Sequence, residues 1–267
     1  MISLCKSEED VKNILDYIGD DFKSVPYLYV DTVKYGAGAS NVRTWMDYDA
    51  NGEIRGVYLL YYDCLHFFTR DSDRYPLETL LNAVEFLNPK VIMTREDIAK
   101  RVEYILRSQY TPEKIRIMDF QRVKPEDSQS VCETASLDDI QKMIDLMMAE
   151  NIYASVYDRE ILEKQMMERY NDHFSHYFVL KDGENLVAAY TTFAEVPRMI
   201  LFGSLIVNPS YRGKGYAGMI IKYACHFLAE KDIVKLTSIE ANNAASLRAH
   251  EKIGAFPIQT LYKFVKA

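Results

Sequence analysis

A short stretch near the C-terminus has the composition of an anion-binding turn. It runs over 208–217 and combines two glycines, Gly213 and Gly215, with the basic side chains of Arg212 and Lys214. Glycine lets a backbone approach a phosphate closely, and the basic residues add positive charge. The stretch lacks the three spaced glycines of the dinucleotide fingerprint and the Ser or Thr that follows Gly-Lys in a P-loop. The pattern that remains is Arg-x-x-Gly-x-Ala.

The segments on either side of this turn predict a strand and a helix. Residues 199–207 are rich in β-branched and large apolar side chains, and the run is short enough for a buried strand. Over 217–229, apolar residues recur at helical spacing. A helix N-terminus after a Gly-rich turn attracts anions, because its first N–H groups have no intrahelical partner and the helix dipole adds partial positive charge.

A second informative stretch follows this helix. Residues 235–240 predict another strand, and Asn243 is a suitable N-cap for a short helix. That helix ends in the run Glu-Lys-Ile-Gly over 251–254, with Gly254 in the position that glycine favours after a helix. A final strand is predicted over 257–265.

Together, and in this order, the two stretches resemble the signature regions of the GNAT superfamily of N-acetyltransferases. In that family, Gln/Arg-x-x-Gly-x-Gly/Ala is the acyl-CoA pyrophosphate loop. The resemblance covers roughly residue 130 to the end of the chain. It implies an α/β fold with a mixed sheet that splays apart after its fourth strand to receive the pantetheine arm. It also implies acetyl-CoA as the cofactor.

The resemblance further implies which residues contact acetyl-CoA. The loop would bind the pyrophosphate, and backbone amides of the fourth strand would hydrogen-bond the pantetheine arm and the thioester oxygen. An asparagine and a serine align with positions that often touch the pantetheine or its phosphates, with helix capping and solvent exposure as the alternative. The expected cofactor-binding residues are Leu205, Ile206, Val207, Arg212, Gly213, Lys214, Gly215, Tyr216, Ala217, Asn243 and Ser246.

The catalytic groups are less well defined by the sequence. Acetyl transfer needs an amine that has lost a proton and, usually, a proton for the departing thiolate. Many GNAT members carry a tyrosine acid just before Glu-Lys-x-Gly, where this chain has His250, which is either the acid or a packing residue. Glu195 and Glu240, each at the end of a predicted strand, are candidate bases, with solvated surface charge as the alternative.

The chain of 267 residues is long enough for two modest domains. The N-terminal half repeats the core of the C-terminal element order, ending in a strand predicted over 115–123. We therefore predict a degenerate GNAT-like domain over 1–123, a polar linker over 124–130 and a catalytic domain over 131–267. In the first domain, the expected pyrophosphate loop is replaced by 70–75, which has no glycine and two carboxylates that would repel phosphate.

Composition and charge limit the cellular compartment and the classes of partner that we expect for the protein. The net charge of −7 argues against general nucleic-acid binding. No apolar run is long enough for a membrane helix, and four scattered cysteines are typical of reduced thiols in a cytoplasmic protein. No metal site is expected, and the oligomeric state stays open.

The resemblance to GNAT proteins implies an N-acetyltransferase that moves an acetyl group from acetyl-CoA to a small-molecule or peptide amine by direct attack. Two alternatives stay open. One is an acyl-CoA-binding module without turnover, because the tyrosine is missing and the base is unclear. The other is an aminoacyl or longer-acyl transferase, because tandem GNAT-like halves resemble the peptidoglycan-bridge aminoacyltransferases and N-myristoyltransferases.

Overall fold

A computed structural model describes residues 1–125, 131–150, 158–172 and 174–267. These residues form two compact units, each a mixed α/β layer structure. The first unit comprises Met1–Ile117, Ser238–Asn243 and Pro257–Ala267, and the second comprises Met118–Thr237 and Ala244–Phe256. Within the described ranges, no helix is long and apolar enough to cross a bilayer.

The first unit is built on a sheet in the order β1-β2-β3-β4-β5-β12. Strands β4 and β5 are parallel, and the other neighbours that define this order pair antiparallel. The elements that begin in this half of the chain are β1 (Ile2–Leu4), α1 (Glu8–Ile18), α2 (Pro26–Tyr35), β2 (Val42–Tyr48), β3 (Ile54–Tyr61), β4 (Cys64–Phe68), α3 (Leu77–Leu87), β5 (Val91–Arg95), α4 (Glu96–Leu106) and β6 (Tyr110–Asp119).

The second unit repeats this order of elements around a sheet in the order β7-β8-β9-β10-β11. Only its β10–β11 pair is parallel among the described ladders of this sheet. The elements are β7 (Cys132–Thr134), α5 (Leu137–Met148), α6 (Arg159–Asn171), β8 (Tyr177–Asp182), β9 (Asn185–Val196), β10 (Met199–Val207), α7 (Tyr216–Phe227), β11 (Val234–Glu240), α8 (Ala244–Lys252) and β12 (Phe256–Lys266), the last of which lies mostly in the first unit.

Helices α1 and α5 begin in the same way in the two units. Ser7 accepts a hydrogen bond from the Asp10 N–H, and the Asp10 carboxylate accepts one from the Ser7 N–H. Ser136 and Asp139 repeat this reciprocal arrangement at the start of α5. Each capping box satisfies two otherwise unpaired donors, so both helices start where the Ser-x-x-Asp pattern places them.

The last strand does not follow the sequence-based division into domains. That division placed all of 131–267 together, whereas Pro257–Ala267 belongs to the first unit. The reason is backbone pairing: β12 lies antiparallel to β5, with Leu261 opposite Arg95 and Val265 opposite Val91. Of the predicted linker, 126–130 lies outside the described residues.

Candidate functional site

The middle of β10 is where this strand changes its pairing. Against β9 the ladder continues to the strand end, with Val207 opposite Ala188. Against β11 the parallel ladder ends at Phe202, opposite Thr237. The register with β9 shifts on both sides of Phe202, which is the geometry of a β-bulge. The second half of β10 therefore extends beyond its described ladder with β11.

A buried hydroxyl group holds this bulge. Thr191 on β9 is buried, and its Oγ1 accepts a hydrogen bond from the Ser204 N–H at 3.1 Å. A Cβ on Gly203 would lie 2.8 Å from the same oxygen, which is too close for any side chain. Glycine is therefore required here by the close approach of two strands. Sequence reasoning overlooked both Thr191 and Gly203, because the contact joins distant positions.

The three expected backbone ligands lie directly after the bulge. Leu205, Ile206 and Val207 are the last residues of β10, and Ile206 is buried while its two neighbours are half-buried. They run without interruption into the predicted loop. The structure thus brings together the expected ligands from Leu205 to Ala217.

Two side chains fix the start of the loop. The Asn208 carboxamide accepts from the Ser210 N–H at 3.1 Å and donates to the Leu186 carbonyl at 3.3 Å. Arg212 donates from Nε to the Val207 carbonyl at 3.1 Å, and its guanidinium pairs with the Glu150 carboxylate. The Arg212 side chain therefore holds the loop against its surroundings, and Glu150 offsets its charge.

The two glycines open the other end of the loop. Gly213 and Gly215 have φ values of +81° and +87°, in the region that favours glycine. A Cβ at either position would meet no described atom within 4 Å. Backbone conformation, and not packing, therefore selects glycine here, and the space above the loop is open.

Helix α7 begins at this open end. Gly215 is its N-cap, no side chain caps it, and its first turn contains no acidic residue. Its dipole therefore presents partial positive charge to the open space. Lys214 adds a full positive charge beside the Tyr211 ring, with Nζ 5.3 Å from the ring centroid. The residues fit a phosphate-bearing ligand on three counts: open backbone, an uncapped helix end and a cation.

A profile of the GNAT acetyltransferase family matches residues 140–255. This part of the chain is a GNAT domain. The match falls mostly on the second unit and includes the bulge, the loop and α7. The predicted fold class, a mixed α/β GNAT fold, is confirmed. No curated protein matches the chain by sequence.

Some solved GNAT structures are similar to this chain over nearly their whole length. An acetyltransferase of the GNAT family from Colwellia psychrerythraea is 15% identical, with a TM-score of 0.63 and 100% of each chain covered. A GCN5-related N-acetyltransferase from Sphaerobacter thermophilus is 14% identical, with a TM-score of 0.65 and coverage of 99% of this chain and 95% of that chain. A tandem GNAT protein from the clavulanic acid biosynthesis pathway is 11% identical, with a TM-score of 0.63 and coverage of 100% and 98%. At these identities the likeness shows the fold.

The other two expected cofactor ligands lie around the start of α8. The Asn243 N–H donates to the Glu240 carbonyl at 2.9 Å, directly before the helix. The Ser246 carbonyl accepts a hydrogen bond from the His250 ring, one turn further on. These hydrogen bonds shape the connection between β11 and α8. This connection lies within the residues that match the GNAT family.

His250 is placed as a packing residue in this GNAT domain. Its side chain is 1% exposed, and its ring meets Phe120 and Tyr190 edge-on. Nδ1 lies 2.8 Å from the Ser246 carbonyl, which can only accept, so Nδ1 carries the proton. Burial lowers the pKa of His250, and the hydrogen bond to Ser246 only partly opposes this. The ring is therefore neutral near pH 7, and its Nε2 holds no proton to give to a thiolate.

Glu195 lies far from the loop. It pairs with Ile200 near the start of β10, about 23 Å of strand from Val207 at roughly 3.3 Å per residue. Its carboxylate is 2.8 Å from His176 Nε2 and 2.5 Å from Lys231 Nζ, and Lys231 follows the C-terminal end of α7. The structure therefore places Glu195 at the end of α7 opposite the loop.

The pKa of Glu195 also argues against a role as general base. Burial raises this pKa, but the hydrogen bonds from Lys231 and His176 outweigh burial and leave it below its ordinary value. Such a carboxylate is ionised but is a poor proton acceptor. The same two hydrogen bonds occupy the oxygens that a substrate amine would need.

Glu240, the other candidate base, forms part of an ion-paired cluster in the first unit. Lys263 lies 3.2 Å from the Glu240 carboxylate and 2.8 Å from that of Glu113. Burial lowers the pKa of Lys263, but the two carboxylates outweigh burial and raise it. Lys263 therefore stays charged, and the cluster is a structural ion-pair arrangement.

Proposed function

We propose that the protein transfers an acetyl group from acetyl-CoA to a primary amine of a small molecule or peptide. The reaction would be a direct attack within a ternary complex. The observation that carries this proposal is the unbroken path from the β10 bulge, through the open two-glycine turn, to the uncapped start of α7. Acetyl-CoA would supply an acetyl group activated as a thioester.

Different residues of this path would bind different parts of acetyl-CoA. The backbone N–H groups of 213–217 and the Lys214 ammonium would hold the pyrophosphate, because both complement negative charge. The backbone of 205–207, beyond the described β11 ladder, would hydrogen-bond the pantetheine arm and orient the thioester. Arg212 would act indirectly, by holding the loop to Val207 and Glu150.

Proton transfer in this proposal goes through solvent. His250 has no proton on Nε2, Glu195 contacts His176 and Lys231, and Glu240 is paired with Lys263. We therefore expect the amine to lose its proton to water and the thiolate to be protonated by water. The rate at low amine concentration should then rise with pH up to the pKa of the acceptor amine itself.

A cytoplasmic location is part of the same proposal. All four cysteines, Cys5, Cys64, Cys132 and Cys225, are free thiols. Unpaired thiols are typical of proteins in a reducing compartment. The support is compositional, and fractionation of cells that express the tagged protein would test it.

The second candidate function is acyl-CoA binding without turnover. The specific observation in its favour is that all three candidate acid–base residues are engaged or buried. The experiment that separates the two is thiol release from acetyl-CoA in the presence of a panel of polyamines, aminoglycosides, amino acids and peptides. Release that depends on an amine supports transfer, whereas thermal stabilisation by acetyl-CoA with no release from any amine supports the binding module.

A further inference from the structure

The first unit contains a cleft of its own. Its position in the first unit corresponds to that of the Gly213–Ala217 loop in the second unit. It is bounded by the end of α1, the β2–β3 turn and the segment 69–76 between β4 and α3. Its volume is about 910 Å³, within the range of roughly 300–1,000 Å³ that small-molecule sites occupy.

A buried carboxylate, that of Asp47, holds Arg55, which is one of the residues that line this cleft. The side chain of Asp47 is 0% exposed and accepts hydrogen bonds from Arg55 Nε at 2.8 Å and Arg55 Nη2 at 3.3 Å. It also accepts from the hydroxyl of Tyr75 at 2.9 Å, and Tyr75 shares a further hydrogen bond with Tyr58. A buried charge needs such partners. Here they fix one edge of the Arg55 guanidinium and leave the group on the lining of the cleft.

Two more arginines come from the segment between β4 and α3. The Arg70 guanidinium lies 5.4 Å from the Tyr17 ring centroid, and its Nη2 donates to the Asp16 carbonyl at 3.3 Å. Arg74 is exposed at the same cleft. Planar guanidinium groups present paired donors that match a carboxylate. Arg55 and Arg70 are held in place before any ligand arrives.

Four carboxylates line the same cleft. Asp49 accepts the N–H groups of its own turn, and Asp71 accepts the Arg74 N–H at 3.1 Å. Asp16 and Glu53 are exposed. With three arginines opposed by four carboxylates, a dianion such as phosphate would be repelled, whereas a ligand carrying both charges would meet a partner for each.

We propose that this cleft binds a small zwitterion of the amino-acid or short-peptide type. Its carboxylate would lie on Arg55 and Arg70, and its ammonium group would lie towards Asp16 and Glu53. Tyrosine rings on the lining would pack against its side chain. The proposal concerns the first unit alone, so it holds or fails independently of the acetyl-CoA site.

The test is a direct binding titration of the full chain in the absence of acetyl-CoA. Binding is measured by calorimetry or NMR. The probes are free amino acids, the matching N-acetyl amino acids as anions, the matching amino-acid amides as cations, inorganic phosphate and CoA. We expect free amino acids to bind saturably and at least about tenfold more tightly than either singly charged analogue, because each analogue loses one charge pair.

Two variants and a control make the test specific. Arg70→Gln and Glu53→Gln change exposed residues outside the Asp47 network, so the fold should stay intact, and each should weaken amino-acid binding roughly tenfold. Arg107→Gln removes an exposed arginine from the end of α4 and should change nothing. Preference for phosphate, CoA or a singly charged analogue, absence of saturable amino-acid binding, or unchanged affinity in both cleft variants would each overturn the proposal.

Discussion

The same turn occurs once in each unit, between the strand that pairs in parallel and the helix that follows it. In the second unit, Gly213 and Gly215 open the backbone and no acidic residue stands at the start of α7. In the first unit, Asp71 accepts an N–H of its own turn, so the protein supplies the anion that the turn would otherwise attract. The same topology therefore supports either a turn whose backbone is open to a phosphate or one in which the protein's own carboxylate takes that place, depending on a few side chains.

The parallel strands beside these turns also differ between the two units, since those of the first unit are bridged by side chains. In the first unit the β4–β5 ladder ends at His66, opposite Met93. Beyond it, Thr94 donates to the Phe67 carbonyl at 3.2 Å and Arg95 donates to the Thr69 carbonyl at 3.0 Å. The cavity lined by Thr94 and its neighbours measures only about 10 Å³. Side chains therefore bridge the strands that a pantetheine arm would need to separate.

The largest effect is expected from closing the open turn. Gly215→Val should weaken acetyl-CoA binding at least about 100-fold, because a β-branched residue disfavours φ = +87° and its side chain would fill the space above the loop. Gly38→Val is the matched control, since Gly38 also has positive φ and open surroundings. Calorimetry with acetyl-CoA measures both, and equal losses in the two variants would refute the loop assignment.

Filling the bulge should have the next largest effect. Gly203→Ala places a methyl group 2.8 Å from Thr191 Oγ1, and overpacking of this kind costs about 1–3 kcal/mol. Urea denaturation should show that loss in the free energy of unfolding, together with weaker acetyl-CoA binding. Gly218→Ala is a milder control, because its Cβ would lie 3.2 Å from Ile253 Cγ2, a longer approach than the 2.8 Å at Gly203. Full stability in Gly203→Ala would show that the bulge is not tightly held.

The ion pairs of Glu195 predict a pH-dependent loss of stability without loss of activity. The pKa of the Glu195 carboxyl is lower in the folded protein than in the unfolded chain. Ionised Glu195 therefore stabilises the fold above its unfolded pKa, and this stabilisation is lost as the pH falls through its folded pKa. Glu195→Gln should therefore cost roughly 1 kcal/mol at pH 7, because the group is partly exposed, and progressively less as the pH falls below the unfolded pKa. A large drop in kcat with unchanged stability would restore Glu195 as a base.

The smallest effect is expected at His250. His250→Phe keeps a ring between Phe120 and Tyr190 and removes both nitrogens, so kcat should change by less than about threefold. A general acid would instead contribute about 100-fold or more. Single-turnover rates over a range of pH would distinguish the two, and a loss of that size with a folded variant would make His250 the acid after all.

Local chemistry made the loop predictable, while tertiary contacts decided the rest. The Gly213–Ala217 turn could be predicted because its two glycines and the apolar pattern of the following helix lie next to each other in the sequence. The burial of His250 depends on Tyr190 and Phe120, which lie far away in sequence. The position of β12 depends likewise on β5, a partner about 170 residues distant that no local pattern reveals.

Two elements of the first unit show the same limit. Helix α2 was not predicted, because its Tyr, Val and Thr residues favour strands; packing of buried residues such as Leu28 and Val30 overrides that preference. The strand predicted over 115–123 is β6, which covers Tyr110–Asp119 instead. Its first half is polar and carries a proline, so the apolar pattern alone began the strand too late and ended it too late.

The most direct test of the contrast between the two units is the stoichiometry of acetyl-CoA binding to the full chain, measured by calorimetry. The account predicts one acetyl-CoA per chain, bound by the second unit and lost in Gly215→Val. Two acetyl-CoA molecules per chain, or one that survives Gly215→Val unchanged, would contradict it, because the turn in the first unit would then bind the cofactor as well as or in place of the open one.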